Sequence, residues 1–301
     1  MSMTNVPIPE PGPKPPPMPP PPFPGQPVRE PDPQRLPDEE PLPNPDENDE
    51  PPQHAGTEDK AGFTDSEAFE RFAREIGSRS RYVRSAESQR FLDAVAATSG
   101  ARVRSVDAGT IYWRAQVGHG WQRDGAGGRK VRGPHPRERM KPLSDRAYEG
   151  RVNPKGIPCL YFATSREVAI SEVRPWLGSE VTVARFRTLS DMELVDCTSH
   201  EGVSGGGAAD IEKAVWAAID RAFSRPVIET DNKAEYAATQ AVAEVLRDRG
   251  FDGVIYRSAY AGEGRNVALF DLDAAEVVDQ ALFEICDISL EFQEIEPEKE
   301  E

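Results

Sequence analysis

Apolar positions recur at helical spacing in several stretches and gather into short β-forming runs between them. Phe69, Phe72 and Ile76 predict a helix opened by the capping sequence Thr64-Asp65-Ser66-Glu67. Phe91, Leu92 and Val95 predict a second helix over about Ala86 to Ala97. Ile211, Val215, Ile219 and Ala222 define one over about Asp210 to Phe223. Ala234, Ala238, Val242 and Val245 define another over about Lys233 to Arg249, with Gly250 placed to end it. A shorter helix opens at the capping box Thr164-Ser165-Arg166-Glu167 and runs through Ile170 to Val173, which sets Glu172 at or near its end.

Strands are expected where β-branched and aromatic residues cluster. The candidates are Thr110 to Ala115, Leu160 to Ala163, Val181 to Phe186, Met192 to Val195, Phe251 to Tyr256 and Asn266 to Phe270. Some of these strands follow one another directly and others are separated by helices. That order predicts an α+β fold on a mixed β-sheet and argues against a doubly wound one. No internal repeat is apparent.

Composition sets the outer limits of that fold. Of 29 prolines, 21 lie in residues 1–60, between acidic clusters and with few aliphatic residues. Such a segment buries too little apolar area to offset the entropy of ordering, so a disordered leader is expected. A second acidic tail is expected over 287–301, leaving one domain over 61–286. The net charge of −16 divides into −8 for residues 1–60, −11 for 271–301 and +3 for the residues between. Cations gather between Arg123 and Lys155 among glycines and few aromatics; a solvated loop is the preferred reading, and no nucleic-acid partner is expected.

Several function classes drop out. Cys159, Cys197 and Cys286 are far apart, with neither disulfide nor zinc-ligand spacing, so no metal is expected. The start has no signal-peptide pattern, and no run approaches the ~20 apolar residues a membrane helix needs. A cytoplasmic protein follows, with secretion free of a cleaved signal left open. G-x-S-x-G, the P-loop and H-E-x-x-H are all missing, and Gly125, Gly127 and Gly128 do not sit between a strand and a helix. His54, His119, His135 and His200 fall in expected loops or the leader and read as solvated. Ser204-Gly205-Gly206-Gly207 before a helix could present amides to a phosphate, but a plain connection is the preferred reading.

Three segments stand above this background. They are Tyr112-Trp113-Arg114-Ala115; Gly150-Arg151-Val152-Asn153-Pro154 with Gly156-Ile157-Pro158 and Tyr161-Phe162-Ala163, continuing to Ser171-Glu172; and Gly250-Phe251-Asp252-Gly253-Val254-Ile255-Tyr256 with Ser258, closing on Asn266-Val267-Ala268-Leu269-Phe270. Their order and spacing closely resemble the RES domain, named for an Arg, a Glu and a Ser that here match Arg114, Glu172 and Ser258. The likeness spans roughly Arg81 to Asp271 and includes Tyr236, Thr239 and Gln240.

The resemblance implies a fold related to ADP-ribosyltransferases. It also implies an activity that degrades NAD, in some members by phosphorolysis to nicotinamide and ADP-ribose 1″-phosphate. NAD is then the substrate, inorganic phosphate the expected co-substrate, and no cofactor is needed. Many members are toxins held silent by a cognate antitoxin or immunity protein, so such a partner is expected, and a homodimer is allowed. The Pro-rich leader, the acidic tail and the long Gly/Arg stretch between Val117 and Glu149 depart from compact members, which weakens the expectation of an antitoxin more than that of the chemistry.

The residues suit that chemistry. Guanidinium forks match a pyrophosphate, which points to Arg114 and Arg151. Breaking a bond to a cationic leaving group passes through an oxocarbenium-like state that a carboxylate stabilises, which points to Glu172. Tyr161 offers a flat face to nicotinamide, and Ser258 a hydroxyl for the nicotinamide amide or an incoming phosphate. Two other functions compete: transfer of ADP-ribose to a macromolecule, and an inactive module whose leader recruits aromatic grooves. Retention of all three named residues argues against the inactive module.

Overall fold

The structure, a computed structural model, describes residues 62–125, 128–199, 207–226, 235–260 and 262–289, together with 292 and 294. The expected leader over 1–60, most of the expected tail, His54, His200 and Ser204 to Gly206 lie outside the described residues.

The described chain builds an α+β fold on a mixed sheet, as the element order predicts. Helices α1 (Ala68–Ser78), α2 (Ala86–Ser99), α3 (Arg166–Glu172), α4 (Ala208–Ser224) and α5 (Tyr236–Asp248) accompany ten strands. These are β1 (Val103–Val106), β2 (Ile111–Val117), β3 (Gly120–Arg123), β4 (Lys130–Gly133), β5 (Leu160–Ala163), β6 (Glu180–Thr188), β7 (Met192–Asp196), β8 (Gly253–Arg257), β9 (Arg265–Leu269) and β10 (Ala275–Glu284). Eight of them form one sheet in the order β1-β7-β8-β9-β5-β2-β6-β10, and β3 pairs only with β4. Every neighbour in the large sheet is antiparallel except β7 with β8, whose parallel pairing requires the crossover that α4 and α5 supply.

Both faces of the sheet's middle are covered, which explains the unbroken apolar runs there. On one face Val195, Val254, Tyr256 and Ala268 pack with Phe72, Phe91, Leu92, Trp216, Phe223 and Leu246 from α1, α2, α4 and α5. On the other, Leu160, Phe162, Phe186, Leu194, Val267 and Leu269 pack around the fully buried Met140. Burying side chains of this size stabilises by roughly 1.5–3 kcal/mol each before entropy is counted. α3 closes one end, setting Val168 and Ala169 against Ala115, Ala163, Val181 and Val183.

The seam between β2 and β5 positions the site. β5 is fully paired with β9 along four residues, but with β2 it shares a single registered pair, Trp113 with Ala163. The sheet therefore parts along this seam and leaves the Tyr161 carbonyl without a ladder partner from β2. Arg114 supplies the missing donor, its Nη1 lying 2.9 Å from that oxygen.

Several expectations need correction. His135, read as solvated, is buried: its N–H donates to Thr182 Oγ1, and its carbonyl accepts from Gln280 Nε2. His119 is partly covered, paired with Glu180 and edge-on to Trp121. The basic stretch read as a loop contains β4, which pairs with β3, and Arg137 within it donates to the carbonyls of Val277 and Val278. α1 begins at Ala68, because the Asp65 carboxylate accepts the Glu67 N–H in a preceding turn and binds Arg71. At α3 the cap is Ser165, accepting from the Val168 N–H, one residue beyond the expected Thr164.

Candidate active site

A cleft of about 340 Å³ opens where β2 and β5 part. Arg114, Arg151, Tyr161 and Glu172 line it, with Tyr236, Tyr256 and Asn266 alongside. The sequence separates these residues by more than 150 positions, and the fold brings them onto one concavity. Its volume falls at the low end of small-ligand sites.

Glu172 closes α3 and is held by two donors. Ser258 Oγ donates to its Oε1 at 2.6 Å, and Asn266 Nδ2 donates to the same oxygen at 2.7 Å. The Ser258 hydroxyl also accepts the Tyr260 N–H at 3.2 Å, so both its proton and a lone pair are committed. The sequence reading gave that hydroxyl a nicotinamide amide or a phosphate to hold; here its proton goes to Glu172, and Ser258 acts through the carboxylate. Asn266 was legible only as part of the closing strand segment. Its role depends on a pairing of β8 with β9 that opposes Tyr256 to Asn266 and carries no local signature.

Arg114 faces the opposite condition. Its Nε is buried without a hydrogen-bond partner, and among the described residues its guanidinium makes no ion pair. Burial pulls its pKa below the usual arginine value, with the neighbouring Tyr161 working weakly against the shift. An arginine stays charged at neutral pH nonetheless. The Arg114 guanidinium, half-buried in the cleft wall and in no ion pair among the described residues, is placed to meet a bound anion.

Tyr161 is fixed at its tip. Its hydroxyl donates to Asn153 Oδ1 at 2.5 Å and accepts the Val152 N–H at 3.1 Å, while its ring stays on the cleft. Residue 150 must be glycine for this knot to close, since a Cβ there would lie 2.5 Å from the Tyr161 hydroxyl. Gln240 Nε2 donates to the carbonyls of Gly150 and Asn153, and Thr239 Oγ1 to that of Arg151, stapling the loop to α5. Arg151 lies over the Tyr236 ring, 5.8 Å from its centroid, and donates to the Arg225 carbonyl. Burial holds the Tyr161 and Tyr256 hydroxyls neutral by raising their pKa values, and pushes the Cys159 thiol up to about 11. At neutral pH the nearby cysteine is therefore no thiolate nucleophile.

Beyond the named five, Arg174 and Tyr260 stand near Glu172. The Arg174 guanidinium sits 4.7 Å from the Tyr260 ring centroid, on a backbone with φ of 45°, rare for a residue with a side chain. Among the described residues no group of three His, Cys, Asp or Glu side chains is placed to hold a metal ion, and no helix is long and apolar enough to cross a membrane.

Together these features define an α+β protein whose parted sheet sets an unpaired arginine and a clamped glutamate around one cleft. The RES domain profile matches residues 129–293, more than half the chain, and the chain belongs to the RES domain family. Glu172 and Ser258 lie inside the matched span, and Arg114 precedes it. No curated protein matches the chain. Among solved structures it is similar to the crystal structure of the M. tuberculosis MbcT-MbcA toxin-antitoxin complex, at 15% identity over 63% of this chain and 91% of that one, with a TM-score of 0.37.

Proposed function

We propose that this cleft breaks the nicotinamide–ribose bond of NAD, with inorganic phosphate as acceptor. The observation that carries the reading is the pairing of opposites in one cleft: a half-buried cation in no ion pair among the described residues, and a carboxylate fixed by two donors. Arg114 and Arg151 take the pyrophosphate, whose oxygens suit guanidinium forks. Tyr161 gives its ring to the nicotinamide, since its hydroxyl is occupied.

As the C1″–N bond lengthens, its electron pair moves onto the nicotinamide nitrogen and neutralises the pyridinium. Positive charge then grows on the ribose, and the Glu172 carboxylate stabilises it in place. Ser258 and Asn266 keep that carboxylate from turning away and cost no reorganisation during the reaction. A phosphate oxygen bonds to C1″, giving nicotinamide and ADP-ribose 1″-phosphate. NAD is the substrate and no cofactor enters. Because many RES proteins are toxins, a cognate antitoxin is part of this reading.

The test is the product mass after NAD is incubated with the full chain, with and without inorganic phosphate. ADP-ribose phosphate appearing only with phosphate is the expected result. Free ADP-ribose in both would make water the acceptor, ADP-ribosylated protein would make it a transferase, and intact NAD would overturn the reading.

A further inference from the structure

Beside Arg151 a second groove adjoins the catalytic cleft. Tyr236, the first residue of α5, lines both the catalytic cleft and a second groove of about 400 Å³ between α1, the end of α4 and the start of α5. Arg151 stands at the junction, its guanidinium over the Tyr236 ring and donating to Arg225, a residue that also lines the groove.

The walls of this groove suit a flat, polar-edged ring system. Ala73 of α1 and Ala222 of α4 bring no bulk beyond a methyl group, while Phe69 and Tyr236 add aromatic surface. Arg74 and Glu235, both exposed, stand at the edge as a cation and a carboxylate. Among the described residues Arg74 makes no ion pair. A guanidinium can stack on a purine or pair with a phosphate, and a carboxylate accepts from ribose hydroxyls.

This second step rests on the NAD reading above. NAD is two nucleosides joined by a pyrophosphate, so with nicotinamide at Tyr161 and Glu172 and the pyrophosphate at Arg151, the remaining nucleoside is within reach of Tyr236, which lies under the Arg151 guanidinium and lines both cavities. We infer that the adenosine half of NAD occupies the groove between α1, α4 and α5, against Tyr236 and Arg74. α1 lies before the span matched by the RES profile, so a segment ahead of that span completes the substrate site.

The probe is ADP, which carries adenosine and two phosphates but no nicotinamide riboside, titrated calorimetrically into the full chain. Wild type should bind ADP in competition with NAD. Arg74→Glu and Ser78→Trp, at exposed positions of α1 lining the groove, should each weaken ADP by about tenfold or more, raise KM for NAD in step and leave kcat within about twofold. Arg74→Lys should recover part of the loss. No ADP binding by wild type, or unchanged ADP affinity and KM in both variants, overturns the inference. If both variants lose ADP while wild type leaves NAD uncut, the groove stands and the cleavage reading falls. If NAD is cut with unchanged KM in both, cleavage stands and the groove falls.

Discussion

Two places in this sheet set arginines beside acids, and they resolve their charges in opposite ways. At the ends of β1, β7 and β8, Asp196 and Asp220 are both almost fully buried and richly partnered. Asp196 accepts from the Thr198 N–H and hydroxyl and pairs with Arg104 at 3.2 Å, with Arg265 at 3.8 Å. Asp220 accepts from the Ser199 N–H and the Ser224 hydroxyl and pairs with Arg257 at 2.7 Å. Each buried charge finds its counter-charge within the protein, so the cluster joins the β1 side of the sheet to α4. In the β2–β5 cleft, by contrast, Arg114 donates to a backbone carbonyl, and Glu172 accepts from the neutral side chains of Ser258 and Asn266. A satisfied pair is architecture; charges kept apart and separately braced need a third party to complete them.

That contrast can be broken most severely at Glu172. Glu172→Gln keeps size and hydrogen-bonding reach but removes charge, so turnover should fall by about a hundredfold or more while NAD affinity is nearly kept. Steady-state kinetics beside equilibrium binding separate the two; equal losses in both would make Glu172 a substrate holder only. Asp196→Ala should do the reverse, costing about 2 kcal/mol in denaturant unfolding and leaving kcat/KM unchanged.

The acid limb of stability sharpens the same point. Burial pushes the Asp196 carboxyl up, but Thr198, Arg104 and Arg265 together hold it below the ordinary aspartate value of 3.8. Its contribution is therefore fully present above that value and is lost as pH falls below it, a loss that should vanish in Asp196→Ala. Arg114→Lys replaces a fork with a point charge and should raise KM for NAD by about tenfold, with folding unaffected. The smallest effect is expected from Ser258→Ala, about fivefold in kcat with KM unchanged, because Asn266 still grips the same carboxylate oxygen.

The sequence announced the central strands and the helices well, since β5 to β9 carry apolar runs buried on both faces and α2, α4 and α5 carry clear helical spacing. It was silent on β1, β3, β4 and β10. These are edge or hairpin strands with sparse burial, and their sequences Val103-Arg104-Ser105-Val106 and Lys130-Val131-Arg132-Gly133 read as charged surface. Arg114, Arg151, Tyr161 and Glu172 came forward through the RES resemblance, and the structure gathers all four on one cleft. The bracing of Glu172 by Ser258 and Asn266 could not be read, because three residues across 94 positions meet only through sheet register. His135 was misjudged because its burial comes from β6 and β10 reaching it, with no local apolar pattern.

The account stands on Arg114 being a charge that waits for NAD. The direct measurement is the unfolding temperature of the catalytically slowed Glu172→Gln chain with and without NAD, set against the same chain carrying Arg114→Leu. Ligand at about a hundred times its Kd adds roughly 2.7 kcal/mol to the folded state. NAD should therefore raise the unfolding temperature of the first chain clearly and the second hardly at all. Equal NAD-dependent shifts in both chains, or no shift in either, would contradict the account.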